Sequence, residues 1–164
     1  MEHVNLPIYN DDCLITFSIN CPHLVSVSVQ DGRLITSHGV LQLFNNCRDI
    51  KELFLGFANI EESVVELVFK TYGYQLRKLQ IWAGLNHSSS VDVFKQLILY
   101  CPNLEYLYNV PNLVSVMQFL ESIPPKLERL VEIGFSKETN GPSVLNQHSQ
   151  KSLLSLFKNL KKIV

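Results

Sequence analysis

A cysteine-proline phrase that occurs twice constrains this chain more than any other feature of it. "NCPHLVSVSVQ" (Asn20 to Gln30) returns eighty residues later as "YCPNLEYLYNV" (Tyr100 to Val110). Aligned on its leucine, the same phrase is found in "CRDIKELFL" (47–55), "YQLRKLQI" (74–81), "PKLERLVEI" (125–133) and a closing "NLKKIV" (159–164). The anchors are then Leu24, Ile50, Leu76, Leu104, Leu127 and Leu160, at steps of 26, 26, 28, 23 and 33 residues. Self-similarity at a period of about 20–50 residues marks a stack of small units, none of which can bury its apolar face alone.

Within a unit the pattern is apolar, two variable, apolar, one variable, apolar, as in Leu24, Val27, Val29 and in Ile50, Leu53, Leu55. Its last positions alternate, which is the period of a half-buried strand. The intervals between these phrases carry helical spacing and start signals. Asn59 with Glu62 three residues later resembles a capping box ahead of Val64, Val65, Leu67 and Val68, with Gly73 as the stop. Ser90 suits the cap of a helix bearing Val91, Phe94, Leu97 and Ile98, and Pro111 the first turn of one bearing Leu113, Met117 and Leu120. Adjacent Asp11–Asp12 and Glu61–Glu62 suit helix N-termini, where the dipole favours carboxylates. Strand followed by helix, repeated, predicts an α/β chain of about five repeats plus a cut-off sixth, in one domain over 1–164. The closing "NLKKIV" stops before its third anchor, the pattern of a longer array or of an edge that needs a partner.

Composition narrows the function. With 46% hydrophobic residues in 164 the chain can bury a core. Its 14 basic and 15 acidic side chains are spread along the sequence, which argues against nucleic acid as a partner. The one basic cluster, Lys158, Lys161 and Lys162, reads as a solvated edge. Without an apolar run of about 18 residues or a basic-then-apolar leader, no membrane partner is expected, and the expected location is cytoplasmic or nuclear. Cys13, Cys21, Cys47 and Cys101 have no CxxC spacing and the five histidines are scattered, so neither a metal nor a disulfide framework is predicted. Singly placed glycines supply no phosphate-binding turn, which counts against a doubly wound enzyme domain. Ser143 and His148 lack an orienting carboxylate. No catalytic residue and no cofactor is predicted.

On "CPHL" at Cys21 and "CPNL" at Cys101, the chain resembles the leucine-rich repeat family and, within it, the cysteine-containing subtype. That resemblance implies a solenoid in a horseshoe arc, with a short parallel sheet on its concave face, helices on its convex face, and the thiol buried at the turn into each strand. Cys47 keeps the thiol but is followed by Arg48, Tyr74 stands where a cysteine is expected, and Asn109 and Glu132 interrupt the third anchor. Repeats of this kind resemble the substrate-recognition part of fungal F-box proteins, which implies a protein substrate or partner and a cullin-type ubiquitin ligase behind it. "LPIYNDDCLITF" has a faint likeness to an F-box opening but is too short for a complete one. An alternative resemblance is to leucine-rich repeat regulators of a small GTPase, whose regular strand-end asparagine has one counterpart here, Asn109.

If the anchors point inward, the residues alternating with them stand on the concave face. Those are Ser26 and Ser28, then Glu52 and Phe54, Lys78, Gln80 and Trp82, Tyr106 and Tyr108, and Arg129 and Val131. The predicted partner-binding set is Glu52, Phe54, Lys78, Gln80, Trp82, Tyr106, Tyr108 and Arg129, with the aromatic residues at its centre and the charges at its rim.

Overall fold

The computed structural model of the chain describes residues 3–5, 10–29, 31–56, 59–80, 87–110, 118–119, 127–135 and 147–164. Short strands alternate with helices: β1 (His3–Asn5), α1 (Asp11–Asn20), β2 (Ser26–Val29), α2 (Ser37–Asn46), β3 (Glu52–Leu55) and α3 (Glu62–Tyr72). A 3-10 turn (Gly73–Gln75) leads into β4 (Lys78–Gln80), followed by α4 (His87–Tyr100), β5 (Tyr106–Val110), β6 (Glu132–Phe135), α5 (Gln147–Leu156) and β7 (Lys162–Ile163). The strands form one sheet in the order β1 to β7, and every neighbouring pair is parallel. Val27 pairs with Leu53, as the repeat spacing predicts.

Alternation decides which face is covered. Val27, Val29, Leu53, Leu55, Leu79, Leu107 and Ile133 are buried with Val40, Leu43, Phe44, Val65, Phe69, Phe94 and Leu97 from the helices. The residues between them on β3, β4 and β5 are half-exposed. Crossovers of one hand between successive parallel strands place their helices on one side. The other face of the sheet is open.

Two devices hold one unit on the next. The first is a carbonyl on each turn: Val25, Lys51, Arg77, Glu105 and Val131 each accept from two successive amides of the following unit, at 2.7–3.2 Å. The second is a helix cap lent by a neighbour. Asp11 of α1 accepts from the Thr36 amide (2.8 Å) and hydroxyl (2.6 Å), and Thr36 itself caps α2. Ser37 Oγ in turn accepts from the Glu61 amide at the start of α3 (2.9 Å). Each such side chain satisfies donors that a helix N-terminus leaves unpaired.

The carbonyl ladder corrects the repeat frame at its far end. Val131 occupies the position of Val25 and Glu105, so the fifth anchor is Leu130 and not Leu127. From Val27 to Leu53, Leu79, Leu107, Ile133 and Ile163 the steps are 26, 26, 28, 26 and 30 residues. Leu127 and Phe157 sit instead where Cys21 and Cys101 sit, each accepting from the amide of the anchor three residues on. In the third unit Gly73 holds that position, and exposed Tyr74 follows it as proline follows cysteine elsewhere. A Cβ on Gly73 would lie 2.6 Å from the Tyr100 carbonyl oxygen and 2.8 Å from Cys101 Sγ, so the next turn leaves room for nothing larger.

Several smaller expectations change as well. Glu61, not Asn59, is the N-cap of α3, and Asn59 forms a bridge with Thr36. The helix carrying Phe94 starts at His87 rather than after Ser90. Gly73 does not end the helical segment but continues it as a 3-10 turn, and Leu67 lies on the exposed side of α3. Cys47 and Cys101 are buried at their turns, while Cys21 is only half-buried and Cys13 is exposed. The Cys47 thiol donates to the Cys21 carbonyl at 3.3 Å. The stretch with the F-box likeness runs from β1 into α1 and so follows the strand-helix pattern of the rest. Gln118 and Phe119 are helical, whereas Pro111, Leu113, Met117, Leu120, Ser143 and most of the "GFSKETNGPSVLNQH" segment lie outside the described residues.

Candidate functional site

On the open face the strand registers arrange side chains in two rows. The first is Ser26, Glu52, Lys78, Tyr106, Glu132 and Lys162; the second contains Ser28, Phe54, Gln80 and Tyr108. Glu52, Phe54, Lys78, Gln80, Tyr106 and Tyr108 therefore come together as the alternation predicts. Trp82 lies outside the described residues.

Opposite charges alternate along the first row. Lys78 Nζ lies 2.8 Å from Glu52 Oε1 and 5.3 Å from the centroid of the Tyr106 ring. The hydrogen bond to Glu52 raises the Lys78 pKa, so the ammonium stays charged throughout the physiological range. Further along, Lys162 Nζ lies 3.0 Å from Glu132 Oε1. Because each lysine has its carboxylate, the row presents charge in fixed positions with little net field.

Aromatic rings dominate the second row. Phe54 and Tyr108 come from strands with β4 between them, yet their ring centroids are 6.1 Å apart, so the two side chains lean together across the strand that carries Gln80. Tyr106 and Tyr108 follow at 6.5 Å, with ring planes 22° apart. Burial, followed by the nearby Glu132 carboxylate and its hydrogen bond, raises the Tyr108 pKa, which keeps its hydroxyl protonated. Gly134 makes this placement feasible: a Cβ there would lie 3.1 Å from Tyr108 Cδ1.

Arg129 and Val131 were expected beside these residues and are not there. Leu130 is the anchor, so Arg129 falls on the turn before β6, exposed at the N-terminal edge of the sheet, and Val131 is the carbonyl-ladder residue. Glu132 and Gly134 take their places. Ser26 belongs to the face by register but is only 8% exposed. Lys162 was passed over as part of a basic cluster, although it sits in the first row.

Among the described residues no group of three or more histidine, cysteine or acidic side chains is arranged to hold a metal ion, and no helix is long and apolar enough to cross a membrane. What the face offers chemically is stacking, hydrogen bonding from protonated phenols and fixed ion pairs. These are means of recognition.

The sheet order, the near-constant step and the one-sided burial define an α/β protein with a parallel sheet and a leucine-rich-repeat-like fold. Among solved structures, the chain is similar to a chain in the crystal structure of the Rad7 and Elc1 complex from yeast, with a TM-score of 0.78 and 20% sequence identity. The likeness covers 100% of this chain and 42% of that one, and at this identity it shows the fold alone. No family model and no curated protein matches the sequence.

Proposed function

We propose that this chain is a non-catalytic recognition module, a leucine-rich repeat solenoid of the cysteine-containing subtype that binds a protein partner on its concave, strand-lined face. The observation that carries the reading is the half-exposed aromatic group of Phe54, Tyr106 and Tyr108, set among fixed ion pairs on the one sheet face that no helix covers. Aromatic side chains on a rigid sheet lose little freedom on binding and commonly supply the strongest contributions at an interface centre. The similarity to a chain crystallised in a two-protein complex supports a role in protein binding. The module acts as an F-box-type substrate receptor, or as part of one, in ubiquitin-dependent degradation in the cytoplasm or nucleus, and carries out no chemistry itself.

The test is affinity purification of the chain, followed by reconstitution of each captured protein from purified components beside a cullin adaptor. A partner that loses at least about tenfold in affinity with Tyr106→Ala, in a protein that remains folded, supports the reading. Partner binding unaffected by Tyr106→Ala and Tyr108→Ala removes it. Stimulation of GTP hydrolysis by a captured GTPase would favour the regulator alternative instead.

A further inference from the structure

Cationic side chains that are scattered in the sequence meet along the N-terminal edge of the sheet. The repeat frame puts Lys51, Arg77 and Lys161 at equivalent positions just after the anchors, Arg129 on the turn before Leu130, and Lys158 on the turn before Leu160. Arg77 is engaged by Glu105 at 3.4 Å. Lys51, Arg129, Lys158 and Lys161 are exposed, and among the described residues none is held in an ion pair or side-chain hydrogen bond. Of the acids at this edge, Asp49 faces His23 at 3.3 Å and Glu105 faces Arg77, which leaves Glu128. The opposite edge, where helices begin, carries Asp11, Asp12, Glu61 and Glu62. The net charge of −1 therefore conceals a separation of charge across the sheet.

Moving from that edge onto the open face, the chemistry changes in bands. Unpaired cations come first, then the paired Glu52–Lys78 and Glu132–Lys162 row, then Phe54 and Tyr108. Lys51 and Phe54 are three residues apart along one strand, about 10 Å, and β3 to β7 spans about 19 Å. A peptide of a few residues reaches from one band to the other.

We infer that the partner segment is an acidic peptide whose carboxylates engage Lys51, Arg129, Lys158 and Lys161 while an aromatic or aliphatic residue beside them settles on Phe54 and Tyr108. This inference rests on the proposed function, since it assigns the chemical class of the partner bound at that face. Unpaired surface cations are the groups expected to add orientation and encounter rate for an anionic ligand, whereas the paired lysines have their carboxylates already. A polyanion without side chains for the aromatic band would gain only the first contribution.

The test uses fluorescence anisotropy on the full chain with a labelled peptide in which a run of glutamates precedes a phenylalanine. A lysine-for-glutamate version and a thymidine oligonucleotide serve as the contrasting probes. The expected result is binding of the acidic peptide alone. It should weaken at least about tenfold with Lys158→Glu/Lys161→Glu, and again in about 1 M salt, where the screening length falls to about 3 Å. Failure of the acidic peptide to bind, equal binding of the lysine version or the oligonucleotide, or indifference to the charge reversals would overturn the inference. Loss of peptide binding with Tyr106→Ala/Tyr108→Ala but not with the lysine reversals would overturn it and leave the recognition face standing. Loss with the lysine reversals but not with the tyrosine variants would retain an acidic ligand and remove the face.

Discussion

From β2 to β4 the stack is regular: each strand lies 26 residues after the last, and every register partner from Ser26 to Gln80 follows without a break. From β5 to β6 it is not. The register shifts between Leu107 and Val110, and Asn109 sits in the left-handed region at φ 60°. The extra residue at Asn109 lets Val110, fully buried and paired with Phe135, become the third apolar anchor. The tyrosines of the open face lie in the strand that carries this break, and Tyr108 finds its space over Gly134. The comparison teaches that a constant step preserves the core, while a local departure shapes the surface above it.

The widest consequence is that both halves are equally packed beneath. Leu53 and Leu107 are each 0% exposed, so Leu53→Ala and Leu107→Ala should each lower the stability in urea unfolding by about 2–5 kcal/mol. A much smaller loss at Leu107 would mean that the irregular half is loosely held.

Next in size is Gly73→Ala in the regular half. The new methyl meets the Tyr100 carbonyl and Cys101 Sγ, and overpacking of this kind costs about 1–3 kcal/mol. An unchanged melting temperature would show that the turn gives way. Smaller still is the effect in the irregular half of Asn109→Ala, expected to cost about 1 kcal/mol because asparagine tolerates the left-handed region better than alanine does, whereas Asn109→Gly should be close to neutral. Equal losses from both would place the effect in the side chain instead of the backbone.

The weakest effect concerns pH. Burial pushes the Cys101 thiol up to about 12 from an ordinary 9.0. A folded-state pKa raised in this way means that the unfolded chain ionises first, so stability is complete below about pH 9 and declines from there toward about pH 12. In the folded protein, alkylation near pH 8 should modify exposed Cys13 and spare Cys101. Rapid loss of the Cys101 thiol would contradict its burial.

How much of this was legible before the structure divides along the same line. Leu24, Ile50, Leu76 and Leu104 carry a phrase strict enough to give the strands, their order and the face of Glu52, Phe54, Lys78, Gln80, Tyr106 and Tyr108. Past Val110 the phrase "KLERLVEI" has apolar residues three apart at Leu127, Leu130 and Ile133, so two frames fit. The longer one displaced Arg129 onto the face in place of Glu132. Spacing held a usable signal, because the frame on Leu130 keeps the 26-residue step. Gly73 was read as a helix stop, since nothing local in "YGYQL" reveals that the following turn presses on it. The convergence of Lys51, Arg129, Lys158 and Lys161 is a property of the period itself and is invisible until the frame is correct.

Adjacent residues on one strand give the most direct test, because Tyr106 stands on the open face and Leu107 in the core. The measurement is the affinity of the folded Tyr106→Ala protein for a reconstituted partner, with urea unfolding run beside that of Leu107→Ala. The account predicts affinity weakened at least about tenfold for Tyr106→Ala, with stability reduced by under about 1 kcal/mol. Unfolding by Tyr106→Ala, or unchanged affinity in a folded protein, would contradict it.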